Sequence, residues 1–557
     1  MLKTLTTDFE LDLEADVLVI GGGPAGTWAA WSAASSGARV VLVDKGYCGT
    51  TGCAAASGNG VWYVPPDPDA RETAKASRES LGGFLADRNW MDRVLNQTYI
   101  NVNQLAEWGY PFPTDDEGKP YRRSLQGPEY MRLMRRQIQR AGVKILDNSP
   151  ALELLVDDDG AVGGATGVNR QTGEKWIVRS PSTIIATGGC AFLSKALGCN
   201  VLTGDGYLMA AEAGAEMSGM EFSNAYGISP AFSSVTKTLF YNWATFTSED
   251  GTVIPGASSH RRSVIAQTLL QQPVYAIIDK AAESMRSSMR LAQPNFFLPF
   301  DRAGIDPFTQ RFPVTLRLEG TVRGTGGIRI VDESCASSVR GLYAAGDAAT
   351  RELICGGFTG GGSHNAAWAI SSGYWSGKSA AEYSRSLGEN KTQRHVKGVG
   401  EVGLQSGSDR SQALATDEVI QAVQAEVFPY EKNYFRTEQG LTESLGKLNH
   451  LWQELRSSQV TSDKELPRAR EAAAMVATAR WMYSSAIERK ETRGMHKHQD
   501  YPELDANQQH HLISGGLDRV WVKSQPLLNA EDISQSKIVR LSEVEVQNLK
   551  SKIGAVV

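Results

Sequence analysis

The stretch from Ala15 to Lys45, ADVLVIGGGPAGTWAAWSAASSGARVVLVDK, constrains the fold of this chain more than any other. Asp16 to Ile20 is a short β-branched run, and Gly21, Gly23 and Gly26 follow it in a G-x-G-x-x-G spacing. Gly21 allows the tight bend, Gly23 lets backbone approach a pyrophosphate, and Gly26 lets the next helix pack close on the strand. That helix is predicted from Pro24 to Gly37, with its free N–H groups and dipole favouring phosphate at its N-terminus. Arg39 to Val43 is the next strand, and Asp44 ends it where a ribose-binding carboxylate belongs. The glycine spacing alone is a weak signal. Strand, turn, helix, second strand and terminal acid together predict a βαβ unit that binds a dinucleotide.

A second glycine-rich element, Val339 to Ala348, is a strand ending in Gly346-Asp347 before another helix start. Its carboxylate suits ribityl hydroxyls, and its glycine admits the ligand closely. Between the two lie Thr183 to Gly189, a strand running into a turn, and Thr203-Gly204-Asp205-Gly206. This ordered set resembles the FAD-binding domain of the glutathione-reductase type and argues for FAD over NAD. The expected cofactor contacts are Gly21, Gly23, Pro24, Ala25, Gly26, Asp44, Lys45, Thr50, Thr51, Gly52, Ala151, Ala186, Thr187, Gly188, Asp205, Gly346 and Asp347.

With 557 residues the chain is expected to split into two or three domains. Its net charge of −5 gives no general basic surface for nucleic acid. No apolar run approaches the ~20 residues that span a bilayer. MLKTLTTDFELDLEAD lacks the apolar core of a signal peptide, so a cytoplasmic location is expected. None of the six cysteines forms C-x-x-C, so no iron–sulfur or zinc set is predicted. Cys48 and Cys53 prompt a redox-pair reading, against which stands the simpler one of reduced thiols near a cofactor.

The expected fold class is α/β: a glutathione-reductase-type FAD-binding domain, an inserted α+β capping domain and a C-terminal helical domain. The FAD domain is read as discontinuous, residues 1–221 and 323–387, with a helical insert over 65–140. Residues 222–322, punctuated by prolines, form the substrate-capping domain. Residues 388–411 read as a linker and 412–490 as the helical domain. Residues 491–557 read as an irregular C-terminal extension that ends in a polar helix at 542–552.

Seven motifs in order resemble one superfamily: GGGPAG at 21–26, TTG at 50–52, ATGG at 186–189, TGDG at 203–206, GTGGI at 324–328, GLYAAGD at 341–347 and ERKETRGMHKHQDYP at 488–502. The superfamily contains the flavoproteins of fumarate reductase and succinate dehydrogenase, L-aspartate oxidase and adenylylsulfate reductase. The resemblance implies an FAD-dependent oxidoreductase. The departures refine that. Respiratory members attach FAD through a histidine in S-H-T, but Gly49-Thr50-Thr51-Gly52-Cys53 has none, which implies noncovalent FAD. Phe222-Ser223-Asn224-Ala225 stands where F-H-P-T is expected, and Val322 replaces the histidine of H-x-T-x-G-G. The arginine of A-N-R is missing from Gly360-Gly361-Gly362-Ser363-His364-Asn365. Fumarate, succinate and aspartate are therefore not the expected substrates. The G-S-H at 362–364 and Asn59 resemble the adenylylsulfate reductase α subunit most.

Flavin chemistry needs a substrate oriented over the ring and its charge stabilised. His364 is the leading candidate to donate to an anionic substrate or move a proton. Arg262 aligns with the family's proton-donating arginine, and a plain anion-binding role is equally open. Arg323 is a candidate anion clamp, and Asn59 and Glu221 are candidate hydrogen-bonding residues. Trp62 and Tyr63 are expected to pack near the flavin. His496 and His498 lack a further ligand at suitable spacing, so no metal is predicted. Arg493 and Asp500-Tyr501-Pro502 are expected to hold the C-terminal segment against the flavin domain. Three functions follow: a self-contained oxidoreductase for a small anionic substrate, a flavoprotein subunit with a ferredoxin-like iron–sulfur partner, or a flavin-dependent RNA-modifying protein. The acidic charge weighs against the third. A homodimer is compatible with all three.

Overall fold

Strand Val17–Ile20 is the middle of a five-stranded, all-parallel sheet. Leu342–Ala344 and Ser182–Ile185 lie on one side of it, Val40–Val43 and Lys144–Leu146 on the other. Its three central strands are buried along their whole length, which explains their unbroken apolar runs: helices cover a parallel sheet on both faces. The computed structural model describes residues 9–527 apart from 115–116, 237, 258–260, 359–362, 389–393 and 406–414. The glycines at 360–362 and the polar helix expected at 542–552 lie outside the described residues.

The helix Pro24–Ser35 packs along the helix His364–Ser386. Two glycines set their separation: a Cβ on Gly373 would lie 2.4 Å from Ala25 O, and one on Gly377 2.1 Å from Ala29 O. The expected helical insert contains Pro68–Leu81, Arg88–Glu107 and Gly127–Arg140, the last two separated by Ser124–Gln126, which pairs antiparallel with Gly58–Gly60. A second five-stranded sheet contains Leu11–Glu14, Lys175–Arg179, Val162–Val168 and Ala151–Asp157, in that order. Its fifth strand, Val396–Gly398, comes from the stretch read as linker. Three residues pair there with Leu155–Asp157, too few to leave a periodic signal.

The region between Ser223 and Val322, here called the cap, holds a four-stranded antiparallel sheet. The order is Ala225–Pro230, Phe312–Gly320, Val274–Ile277 and Thr245–Thr247, accompanied by helices Arg261–Leu269, Glu283–Ala292 and Pro294–Ala303. The helical region contains Thr416–Val427, Glu438–Ser457 and Leu466–Glu488. The last of these is buried on nearly every side, so its sequence shows little amphipathic pattern.

The C-terminal extension departs from the irregular segment expected. His510–Gly515 and Trp521–Pro526 form a hairpin, and His510–Gly515 also pairs with Met217–Ser218, which pairs in turn with Gly327–Ile328. Polar positions in both strands hide the pattern, and the partners lie far away in sequence. Arg493 bonds Gly83 O, as expected of a residue holding this segment to the rest of the chain. Asp500 instead accepts from Glu438 N–H at 2.7 Å, on the helical region. His511 donates through Nε2 to Leu85 O at 2.8 Å. Among the described residues no helix is long and apolar enough to cross a membrane.

Candidate functional site

The carboxyl ends of Val17–Ile20, Val40–Val43, Ser182–Ile185 and Leu342–Ala344 open onto one long cleft. This is where ligands bind an open parallel sheet. Every expected cofactor contact lines the cleft except Gly26 and Thr50. Gly26 acts one layer behind: a Cβ there would lie 1.8 Å from Gly21 O, so its absence brings helix and strand together. Thr50 bonds Tyr47 O at 3.2 Å on an exposed turn and does not reach the cleft.

Asp44 does more than await a ribose. Its two oxygens accept from Gly22 N–H at 2.7 Å and Gly46 N–H at 2.8 Å, which fixes the glycine turn to the end of the second strand. Lys45 Nζ reaches Asp205 at 2.6 Å, Thr203 at 2.9 Å and Glu471 at 3.1 Å. Burial draws its pKa down, but the carboxylates of Asp205 and Glu471 outweigh that and leave it raised. Gly346 N–H donates to Ser372 Oγ at 2.9 Å, and Gly346 O accepts from Trp368 Nε1 at 3.1 Å.

Asp347 is held by Arg351, which sequence reasoning missed. This fully buried guanidinium pairs with Asp347 and donates to Gly324 O, Thr321 O at 2.8 Å and Val322 O at 3.2 Å. The i,i+4 acid–base spacing after Gly346-Asp347 was the available signal. Asn365 was also passed over. It lines the cleft, donates to Val322 O at 2.9 Å, and leaves Oδ1 buried without a partner. Tyr130 lines the cleft and accepts from Trp28 Nε1 at 2.7 Å.

The proposed reacting groups divide. Asn59 lines the cleft, with its amide donating to Ala54 O at 2.8 Å and Ser57 O at 3.1 Å. His364 is buried beside the cleft residues Asn365 and Ala366, its ring 4.4 Å from that of Trp62. Tyr63 stacks on Tyr99. Arg262 does not line the cleft; its charge falls on Tyr434 of the helical region. Arg323 is not a free clamp: it pairs at 3.0 Å with Glu319, which is fully buried. Glu221 is likewise committed, 2.7 Å from Arg489 in a buried cluster with Glu491 and Arg493. His496 sits in the same cluster, between Arg436 at 2.7 Å and Arg489 O at 2.9 Å. Desolvation and these cations lower its pKa well below the ordinary value.

Cys48 and Cys53 are both free thiols. Cys48 is fully buried, and burial with the nearby Asp44 charge pushes its thiol up to about 12, which suppresses the thiolate.

The cleft fits FAD. No atom lies within 4 Å of a Cβ position on Gly23, at the N-terminus of the helix Pro24–Ser35, so a pyrophosphate meets open backbone there. Asp347 and Asn365 line the cleft, and the buried Asn365 Oδ1 has no hydrogen-bond partner, so both would accept from hydroxyls of a bound FAD. Fold and site together define an FAD-dependent oxidoreductase. Residues 16–225 match the FAD binding domain family, and residues 426–552 match the family described as fumarate reductase flavoprotein C-term. The chain thus joins an FAD binding domain to a fumarate reductase flavoprotein C-terminal domain and has fumarate reductase flavoproteins among its homologues.

One subunit of the fumarate reductase (CoM/CoB) of Methanothermobacter marburgensis is 24% identical, over 88% of this chain and 95% of its own. Among solved structures, E. coli quinol fumarate reductase FrdA, in a point variant, superposes with a TM-score of 0.78 at 20% identity, covering 93% of this chain and 98% of that one. Adenylylsulfate reductase from Archaeoglobus fulgidus superposes with a TM-score of 0.71 at 17% identity, covering 95% and 99%.

Proposed function

We propose that this chain binds FAD noncovalently and exchanges hydride or electrons with a small anionic substrate, organic or sulfur-containing, beside Asn59, His364 and Asn365. The supporting observation is a change of chemistry at the family's substrate positions. Ser223 and Val322 are fully buried, one a small hydroxyl and the other apolar, where dicarboxylate enzymes of this superfamily carry histidines. Asn59 and Asn365 instead supply amides on the cleft, and His364 lies beside them. Bound FAD supplies the electron-accepting chemistry. Asn59 and Asn365, whose amide N–H groups are given to backbone carbonyls, orient the substrate by accepting through Oδ1 from its hydroxyl or other N–H or O–H groups. His364 holds or delivers the proton that accompanies transfer. Arg351 acts at one remove by fixing Asp347 and the loop Thr321–Gly324.

A second reading is a flavoprotein subunit that passes electrons to a ferredoxin-like iron–sulfur partner. It is favoured by the methanogen relative, which is one component of a larger enzyme, and by the superposition on adenylylsulfate reductase. Absorption spectra test both. Acid precipitation releases yellow colour into the supernatant if FAD is noncovalent; colour in the pellet refutes that part. Anaerobic bleaching by sulfite or a small carboxylate donor identifies the substrate class. Recovery on adding oxygen marks a self-contained oxidase, and recovery only with a ferredoxin marks a component of a complex. His364→Ala is expected to retain FAD and lose turnover. Full turnover in that variant overturns the assignment of the reacting end.

A further inference from the structure

A second cleft, of about 790 Å³, opens where three parts of the chain meet. Leu193 and Lys195 come from the loop that follows the turn at Gly188, Leu270 and Arg317 from the cap, and Phe428 from the helical region. Its size falls in the range of small-molecule sites, and none of these residues belongs to the cofactor cleft.

The charge on its wall is unbalanced. Arg317 donates through Nε to Ser233 O at 3.0 Å and through Nη2 to Ala231 O at 3.3 Å. These are neutral acceptors, and burial lowers the guanidinium pKa. Among the described residues no carboxylate pairs with Arg317 or with Lys195. Against these two cations the lining carries one acid, Glu431. A half-buried cation without a counter-ion is costly and marks a place where an anion is stabilised. The buried hydroxyl of Ser194, between Leu193 and Lys195, also lacks a hydrogen-bond partner.

The loop itself is strained. Phe192, Leu193 and Lys195 have φ of 54°, 54° and 61°, a left-handed backbone that residues with a Cβ rarely adopt. Gln424 pins it from the helical region by donating to Phe192 O at 2.8 Å. Strain held by surrounding structure gathers at ligand clamps and switches.

We propose that this junction binds an amphipathic anion, a medium-chain carboxylate or sulfonate. The head group lies between Lys195 and Arg317, and the hydrocarbon lies against Leu193, Leu270 and Phe428. Such a ligand touches three parts of the chain at once and ties the cap to the other two.

Calorimetric titration of the FAD-loaded protein with decanoate and decanesulfonate tests this. The expected result is saturable binding, weakened about tenfold or more in both Lys195→Gln and Leu270→Asp. Both side chains are exposed, so these variants test the site without disturbing the core. Bound decanoate is also expected to slow amide exchange in the helix Arg261–Leu269. Absence of saturable binding overturns the proposal. So does equal affinity for decanol, which points to nonspecific apolar uptake, or wild-type affinity in both variants.

Discussion

Glu471 Oε1 lies 3.1 Å from Lys45 Nζ, although Glu471 belongs to the C-terminal helix Leu466–Glu488 and Lys45 follows the second strand of the cofactor sheet. The helical region therefore reaches the wall of the FAD cleft through one ion pair. Glu471→Gln keeps the shape and removes the charge. The apoprotein is expected to lose about 1–3 kcal/mol in denaturant unfolding, and FAD is expected to dissociate about tenfold faster, followed by fluorescence of the released cofactor. The raised Lys45 pKa means its contribution is complete below the ordinary lysine value and fades only as pH rises above it. The Glu471→Gln deficit is thus the same from about pH 6 to about pH 9; a deficit that vanishes within that window places the cause elsewhere.

Two glycines of the same turn are predicted to fail in opposite ways. Gly23→Ala meets no atom within 4 Å and has an ordinary φ of −77°, so the apoprotein keeps its stability within about 0.5 kcal/mol. Its methyl group occupies the space for the pyrophosphate, and FAD affinity falls at least about tenfold. Gly26→Ala drives a carbon against Gly21 O and destabilises the apoprotein itself by about 3 kcal/mol or more. Titration of both apoproteins with FAD, paired with thermal unfolding, separates the two effects. Equal behaviour of the two variants contradicts this division.

Arg351→Met removes the cation that joins Asp347 to the loop Thr321–Gly324. It takes the cation from beside Asp347 and the guanidinium donor from Thr321 O and Gly324 O, while Val322 O keeps the amide of Asn365. A loss of about 3–5 kcal/mol in urea unfolding is expected, with weaker FAD binding. A loss below about 1 kcal/mol would show that water replaces the guanidinium readily.

Those predictions also show where a sequence can be read and where it cannot. Gly21, Gly23 and Gly26 declare their roles because bend, approach and packing are all settled within one βαβ unit. Arg323 and Arg351 do not. Both flank a glycine-rich segment, and the one beside the motif turns out to be neutralised by Glu319, four residues before it. The one that holds Asp347 shows in the sequence only as an i,i+4 acid–base spacing, and its bonds to the carbonyls of a distant loop appear only in the fold. Asn365 and Glu471 were hidden for the same reason: each meets its partners across layers of the fold. His364 and Asn59 were singled out from the superfamily motifs that surround them; Asn59 lines the cleft, and His364 is buried next to the cleft residue Asn365.

The buried carboxyl of Glu221 gives a pH signature. Desolvation raises its pKa to about 7, with Arg489 opposing and Glu352 adding to the rise. The folded chain holds a proton there that the unfolded carboxyl has already released. This contribution to stability is complete below the usual carboxylate range and is lost as pH rises through about 7. Glu221→Gln mimics the protonated form at every pH. Melting temperatures of the parent are therefore expected to fall between about pH 5 and about pH 8 relative to those of Glu221→Gln. Parallel curves would mean that Arg489 keeps Glu221 ionised throughout.

The pairing of His510–Gly515 with Met217–Ser218 carries a consequence for synthesis on the ribosome. Met217–Ser218 emerges with one edge of that small sheet lacking its neighbour, because the partner strand follows only at His510–Gly515. Nascent chains must therefore wait, with an open hydrogen-bonding edge, until the strand His510–Gly515 has emerged. Truncation before residue 510 should yield a product that chaperones retain, even though every glycine of the nucleotide fingerprint is already in place.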